Sequence, residues 1–220
     1  MNISIFDVLG PVMIGPSSSH TAGAAKLARV AAALAPRGFC GVKFGLAGSF
    51  AKTGRGHGTD KALLAGALGL FEDDERIPHS FALAQEKGIA FTFTEIDMPE
   101  SHENSARITF LYPDQSQFFV DGSSIGGGRI RITNLNGIQT SFSAEASTLV
   151  ITQRDTKGVI STISHILLEN NINIGVMRVT RVAKGDIANC VIETDAPIPK
   201  AVETALCAAE HVLQVCAINL

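Results

Sequence analysis

The stretch Gly15-Pro16-Ser17-Ser18-Ser19-His20-Thr21-Ala22-Gly23 decides how the first half of the chain is read. Three consecutive hydroxyls and an imidazole stand between a Gly-Pro turn and the Ala-rich run from Ala24 to Leu34. Pro16 disfavours helix at the residue before it, and any of the serines can serve as N-cap. The run that follows predicts a helix from about Thr21 to Leu34, ended by Pro36-Arg37-Gly38. A polar loop on a helix N-terminus meets unpaired N–H groups and the positive end of the dipole. The stretch is therefore either an ordinary Ser-rich cap or a seat for a carboxylate or phosphate.

Working outward, residues 1–14 read as a short apolar helix or turn. Val42 to Phe50 alternates apolar and small residues and predicts a strand. Ala51 to Lys61 follows, with Gly54, Gly56 and Gly58 alternating with Arg55, His57 and Thr59. It reads as a flexible loop that turns sharply or approaches a ligand closely. Its spacing is neither a phosphate-loop signature nor the dinucleotide fingerprint. Ala62 to Leu70 predicts a helix capped by Thr59 or Asp60, so a second His-bearing loop stands on a helix start. Ile89 to Ile96 and Ile108 to Tyr112 predict strands, with His102 and Asn104 on the loop entering the second. Gln117 to Ser124 and Arg129 to Thr133 are strands flanking Gly126-Gly127-Gly128. That triplet is a bulge, a tight hairpin, or a backbone that closes over a ligand.

Composition narrows the function. The chain has 220 residues, 45% of them hydrophobic, and a net charge of −3. It is a globular chain with room for two modest domains. The charge gives no electrostatic case for nucleic acid. No apolar run reaches the ~20 residues that span a bilayer. The N-terminus has no basic n-region, so a cytoplasmic protein without a membrane partner is expected. Cys40, Cys190, Cys207 and Cys216 lack metal-ligand or disulfide spacing, and each reads as a small apolar residue. No metal ligand is expected on this chain.

A composition shift at Ser141 to Ser147 marks a linker and divides the chain into 1–145 and 146–220. After it come a strand (148–152), the turn Asp155-Thr156-Lys157-Gly158, and a helix with Val159, Ile160, Ile163, Ile166 and Leu167 on one side. A strand from Ile172, a hairpin at Gly185-Asp186, a returning strand, a helix from Pro199 and a last strand from Val212 complete the order βαββαβ. That is the ferredoxin-like split βαβ unit.

This second segment resembles an ACT domain, the small regulatory module of amino-acid metabolism. Arg154-Asp155-Thr156-Lys157-Gly158-Val159-Ile160 and Asn171-Ile172-Asn173-Ile174 carry the resemblance. It implies an amino-acid site on Asp155, Gly158, Asn171 and Asn173, across an ACT-mediated homodimer, or a copy that binds nothing and only packs. The first segment resembles the β part of bacterial iron–sulfur L-serine dehydratases. The residues are Ser17-Ser18-Ser19-His20-Thr21, Gly54-Arg55-Gly56-His57-Gly58-Thr59-Asp60, Ser101-His102-Glu103-Asn104-Ser105 and Ser124-Ile125-Gly126-Gly127-Gly128, in that order. It is also similar to the allosteric substrate-binding domain of some phosphoglycerate dehydrogenases. The fold class expected is α+β, with an N-terminal dehydratase-β-like domain followed by the βαββαβ domain.

The dehydratase resemblance implies conversion of L-serine to pyruvate and ammonia. It also implies a 4Fe-4S cluster bound by a separate iron–sulfur α subunit and not by this chain. The cluster's open iron would act as Lewis acid, and a base is still needed for the Cα proton. His57 is the favoured base, with Asp60 orienting it or capping the helix. Ser17, Ser18, Ser19, His20 and Thr21 would hold the substrate carboxylate. His102 and Asn104 would contact substrate or the partner chain. The alternative is a purely regulatory amino-acid-binding subunit. A self-contained serine hydrolase is disfavoured, because no G-x-S-x-G elbow occurs.

Overall fold

The computed structural model describes residues 12–219. The expected helix or turn over 1–14 lies almost wholly outside them. The chain divides into two compact units, Met1–Asn136 and Gly137–Leu220.

In the first unit a π-helical turn, Ser18–Gly23, runs directly into helix α1 (Ala24–Leu34). Strand β1 (Gly41–Ala47) leads into α2 (Gly48–His57) and α3 (Thr59–Ala67). Helix α4 (Ser80–Glu86) precedes β2 (Ala90–Glu95). Strands β3 (Asn104–Leu111), β4 (Gln117–Gly126) and β5 (Arg129–Leu135) follow. Their order in the sheet is β2-β1-β3-β4-β5, with β2 parallel to β1 and the other pairs antiparallel. Phe44, Ile108, Phe110, Val120, Ile130 and Ile132 of the sheet and Leu27, Leu63 and Leu64 of the helices are all fully buried. Burial of each such side chain contributes about 1.5–3 kcal/mol.

Small residues set how closely the elements approach: alanines on α1, and glycines on the α3 helix and β4 strand that face it. A Cβ on Gly66 of α3 would lie 2.0 Å from the Ala25 carbonyl oxygen of α1. A Cβ on Gly122 of β4 would lie 2.6 Å from Leu27, so α1 rests almost directly on the sheet. Gly126, Gly127 and Gly128 all have positive φ and form the tight β4–β5 turn.

The sequence expectation fails most clearly at residues 48–57. The expected strand ends at Ala47, and the expected glycine loop is helix through His57. Gly54 and Gly56 each cost about 1 kcal/mol in a helix interior, but tertiary packing outweighs propensity. Phe50 is fully buried, and a Cβ on Gly54 would press on Thr59 at 3.2 Å. Only Gly58 is a true break, in the left-handed conformation at φ 69°. It alone separates α2 from α3, and neither Thr59 nor Asp60 caps α3 through its side chain.

In the second unit, β6 (Ile138–Phe142) precedes β7 (Ser147–Arg154). Then come α5 (Val159–Glu169), β8 (Ile174–Arg181), β9 (Ile187–Thr194), α6 (Lys200–Cys207) and β10 (Val212–Ile218). The sheet order β10-β7-β9-β8 is that of the βαββαβ unit read from the sequence. Leu149, Ile151, Ile163, Leu167, Cys190, Ile192, Val202 and Leu206 form its buried core.

Candidate functional site

The π-helical turn has a definite chemical basis. Ser17 Oγ accepts from the His20 amide at 3.1 Å, and the Ser17 carbonyl accepts from the amides of Thr21 (3.0 Å) and Ala22 (3.3 Å). The i→i+5 bond from Ala22 widens the turn, a deviation often found at functional sites. The amides of residues 20–22 are thereby used within the turn. They are not available to a substrate anion, contrary to the simple helix-start expectation. Thr21 is buried, and its hydroxyl donates to the His57 carbonyl at 3.0 Å. That bond fastens the Ser-rich turn to the last residue of α2.

The two turns so joined bring two histidines together. The rings of His20 and His57 lie 4.7 Å apart, centre to centre, and His20 meets the buried Phe50 ring edge-on at 5.3 Å. His20 Nε2 lies 3.1 Å from Ser49 Oγ and 3.1 Å from Thr53 Oγ1. His57 Nδ1 donates to the Thr53 carbonyl at 3.0 Å. Burial holds the His20 pKa below its usual value, and the neighbouring His57 lowers it further. The Ser49 backbone and the Glu103 carboxylate act in the opposite sense. Both lowering effects favour the neutral form of the His20 imidazole over the charged one.

Asp60 does not orient His57. Its carboxylate accepts from the Lys61 amide at 2.8 Å, while the Thr53 carbonyl holds the imidazole. Asp60 does share with His57 the lining of a cavity of about 350 Å³, with Gly15, Thr21, Arg55 and Lys61. The site thus presents an imidazole edge beside two cationic side chains. A larger cavity of about 620 Å³ shares Arg55 and Asp60, but its walls are Phe81, Phe91 and Phe93 and it contains no histidine.

The segment entering β3 closes the site from another side. The Ser49 amide donates to the Glu103 carbonyl at 2.6 Å, and Gly48 bridges to Asn104. Gly48 (φ +55°) must be glycine, since a Cβ there would lie 2.4 Å from the Glu103 carbonyl oxygen. Strand β3 begins at Asn104, four residues earlier than its apolar pattern predicts, so Asn104 is on a strand and buried. Its Oδ1 is buried without a hydrogen-bond partner among the described residues. His102 is exposed, and its Nδ1 accepts from the Asn104 amide at 3.2 Å.

Ser49 and Thr53 were not singled out in the sequence. The signal was present: Ser49, Thr53 and His57 fall at i, i+4 and i+8, one face of a helix. Reading 42–50 as strand and 51–61 as loop concealed it.

Residues 4–80 match the family described as serine dehydratase beta chain, and residues 147–211 match the ACT domain. The chain is 42% identical over 209 residues to the L-serine dehydratase beta chain of Peptoniphilus asaccharolyticus, covering 94% of each chain. It is 40% identical over 212 residues to the Bacillus subtilis protein named "Probable L-serine dehydratase, beta chain", covering 96% of each. The chain belongs to the serine dehydratase beta chain family. A D-3-phosphoglycerate dehydrogenase of Bacillus subtilis is 32% identical over 136 residues, which is 61% of this chain and 26% of that one. The family assignment gives the histidine cluster its chemical context.

The residues here do not fit an iron–sulfur cluster. The cysteines are dispersed: Cys40 precedes β1, Cys190 is on β9, Cys207 ends α6 and Cys216 is on β10. Burial pushes the Cys190 thiol up to about 11 and the Cys216 thiol up to about 12, whereas a cluster binds thiolates. Among the described residues no group of three His, Cys, Asp or Glu is placed to hold a metal. No described helix is long and apolar enough to cross a membrane.

The four candidates of the ACT domain are divided. Strands β7 and β8 both pair antiparallel with β9 and so run parallel to each other. Asp155, after β7, therefore lies at the end of β8 and not at its start. Its carboxylate accepts from Arg181 and, at 2.9 Å, from the Gly185 amide, which together hold its pKa below the usual value. Gly158 (φ +93°) starts α5 at that same end. Asn173, before β8, donates to Asp195 at 2.6 Å at the opposite end, and Asn171 (φ +55°) closes the turn after α5. The eight residues of β8 separate the pairs by about 26 Å at ~3.3 Å per residue.

Proposed function

We propose that this chain is the β subunit of an L-serine ammonia-lyase, active with a separate α subunit that holds the 4Fe-4S cluster. The observation that carries the reading is the His20–His57 pair at 4.7 Å, locked by Thr21 beside a cavity with Arg55 and Lys61. In the reaction L-serine loses its Cα proton and its hydroxyl. The C–H electron pair forms the Cα–Cβ double bond while the C–O pair leaves with hydroxide, which takes up a proton and departs as water. The enamine tautomerises to the imine, which water hydrolyses to pyruvate and ammonia. His57 is the base: Nδ1 is held by Thr53, so the lone pair on Nε2 takes the Cα proton. The cavity's cationic side chains, with Ser18 and Ser19, are suited to the substrate carboxylate. Asn104 Oδ1, without a partner among the described residues, suits a donor such as the ammonium. His102, being exposed, is suited to contact the α chain.

For the second unit we propose regulation through a homodimer. In one chain Asp155 and Gly158 are remote from Asn171 and Asn173. A two-fold pairing that sets one end of β8 against the other end in the partner would unite them. β8 is an edge strand and carries the half-exposed Val176 and Val179, which favours that pairing. A cytoplasmic location belongs to the same reading.

The test is co-expression with a cluster-bearing α chain, anaerobic purification, and measurement of pyruvate formed from L-serine. Activity with both chains together and with neither alone is expected. No association and no activity, with L-serine still bound by this chain, would replace the reading with a free-standing amino-acid sensor.

A further inference from the structure

The hydroxyls and carbonyl around the histidine pair contain more information than the pairing itself. Thr53 Oγ1 lies 3.0 Å from the Ser49 carbonyl, 3.1 Å from Ser49 Oγ and 3.1 Å from His20 Nε2. Ser49 Oγ lies 3.1 Å from His20 Nε2 as well, so the two hydroxyls and the ring nitrogen close a triangle. A carbonyl only accepts, so Thr53 spends its single proton on Ser49 O. Ser49 has one proton left to give. Were His20 Nε2 an acceptor, it would face the Thr53 oxygen lone pair to lone pair across one side of the triangle. An N–H at Nε2 resolves all three sides: the ring donates toward the hydroxyls, and Ser49 donates to Thr53. For His57 the count is simpler. Its Nδ1 contacts the Thr53 carbonyl and must carry the proton.

We propose that Thr53, assisted by Ser49, is a positioning residue that fixes His20 and His57 in opposite tautomers. One residue does both, its side chain setting His20 and its carbonyl setting His57. The lone pairs are thereby left on Nδ1 of His20 and Nε2 of His57, two acceptors on adjacent rings. This deepens the dehydratase reading and rests on it for its meaning. An imidazole lone pair repels a carboxylate and welcomes an N–H or O–H. His20 therefore receives the ammonium or hydroxyl of serine, not the carboxylate that the Ser-His-Thr stretch first suggested for it. The side-chain contacts of the His20 ring, to Ser49 and Thr53, are both made at Nε2, which turns the Nδ1 lone pair toward a ligand.

The experiment is long-range 1H–15N correlation of the imidazoles in the full-length labelled chain, at a pH where they are neutral. His20→Gln and His57→Gln variants assign the signals. The expected spectrum has the His20 proton on Nε2 and the His57 proton on Nδ1. Thr53→Val should mix the His20 pattern and Thr53→Ser should restore it. In the two-chain enzyme Thr53→Val should lower kcat by about tenfold, the weight of one hydrogen bond, with KM changed less. Both rings in one tautomer, or His20 protonated at Nδ1, would overturn the proposal. So would a Thr53→Val chain that keeps the parent His20 spectrum. The spectrum requires no turnover, so a chain that forms no pyruvate but shows the two patterns would defeat only the dehydratase reading.

Discussion

The two units treat their candidate residues in opposite ways. In the first, residues 37 apart in sequence meet: His20 and His57 are in ring contact, and Thr21 bonds the His57 carbonyl. In the second, Asp155 and Gly158 sit at one end of the sheet and Asn171 and Asn173 at the other. The reason is topological. Gly58 ends α2 at His57, and Thr21 ties that last residue to the turn before α1. In the βαββαβ unit the parallel strands β7 and β8 place a strand's exit and the next strand's entry a full strand length apart. A site that closes within one chain suits chemistry, which needs fixed geometry. A site that closes only between chains suits regulation, since occupancy then reports on assembly.

The largest expected effect sets the first unit against the second. His57→Ala should lower turnover of the two-chain enzyme by roughly 10²–10⁴, the usual weight of a general base. Asn173→Ala should leave saturated turnover within about twofold, as exposed substitutions do, while changing the response to serine concentration. Steady-state pyruvate formation measures both. Reversed results would exchange the roles of the units.

Packing gives the next largest effect. Gly66→Ala forces a Cβ to within 2.0 Å of the Ala25 carbonyl, and α1 continues from the turn that carries His20. A loss of about 1–3 kcal/mol in denaturant unfolding is expected, the cost of overpacking. Turnover should fall with it, because the turn moves with its helix.

The pH dependence of stability distinguishes the units more finely. His20 has a folded pKa below its usual 6.5, so through that range the unfolded chain binds more protons than the folded one. Stability should therefore fall as pH drops through about 6.5, and His20→Gln should flatten that limb. Asp155 also has a lowered folded pKa, so its effect on stability has the same sign but falls in a more acidic window. Its contribution is present above the usual carboxylate pKa, about 4, and is lost as pH falls through the lower folded value. Asp155→Asn should thus differ from the parent near neutrality and converge with it in acid. This is the smallest effect, because the pair with Arg181 is solvent-exposed.

How much was legible follows the same division. The βαββαβ order of the second unit was readable because Val159, Ile163 and Leu167 keep helical spacing and Gly158 and Asn171 mark the turns. The Ser-His turn and the position of α1 were readable from polar residues set against an Ala-rich run. Helix α2 was not. Gly54 and Gly56 look like loop residues, and they are tolerated because Phe50 and Thr59 anchor the helix by burial. With α2 hidden, Ser49 and Thr53 could not be aligned with His57. Nor could Asp60 be freed from its supposed partner, since a carboxylate near a histidine in sequence looks like its orienter. A carbonyl, invisible in a list of side chains, does that work.

Whether His20 and His57 act as one unit is read from a double-mutant cycle on kcat. His20→Ala, His57→Ala and the double variant would be compared in the two-chain enzyme, with unfolding measured alongside. The double variant is expected to lose about as much as the worse single variant, since groups that act together are not additive. Losses that multiply would show two independent residues and would contradict it.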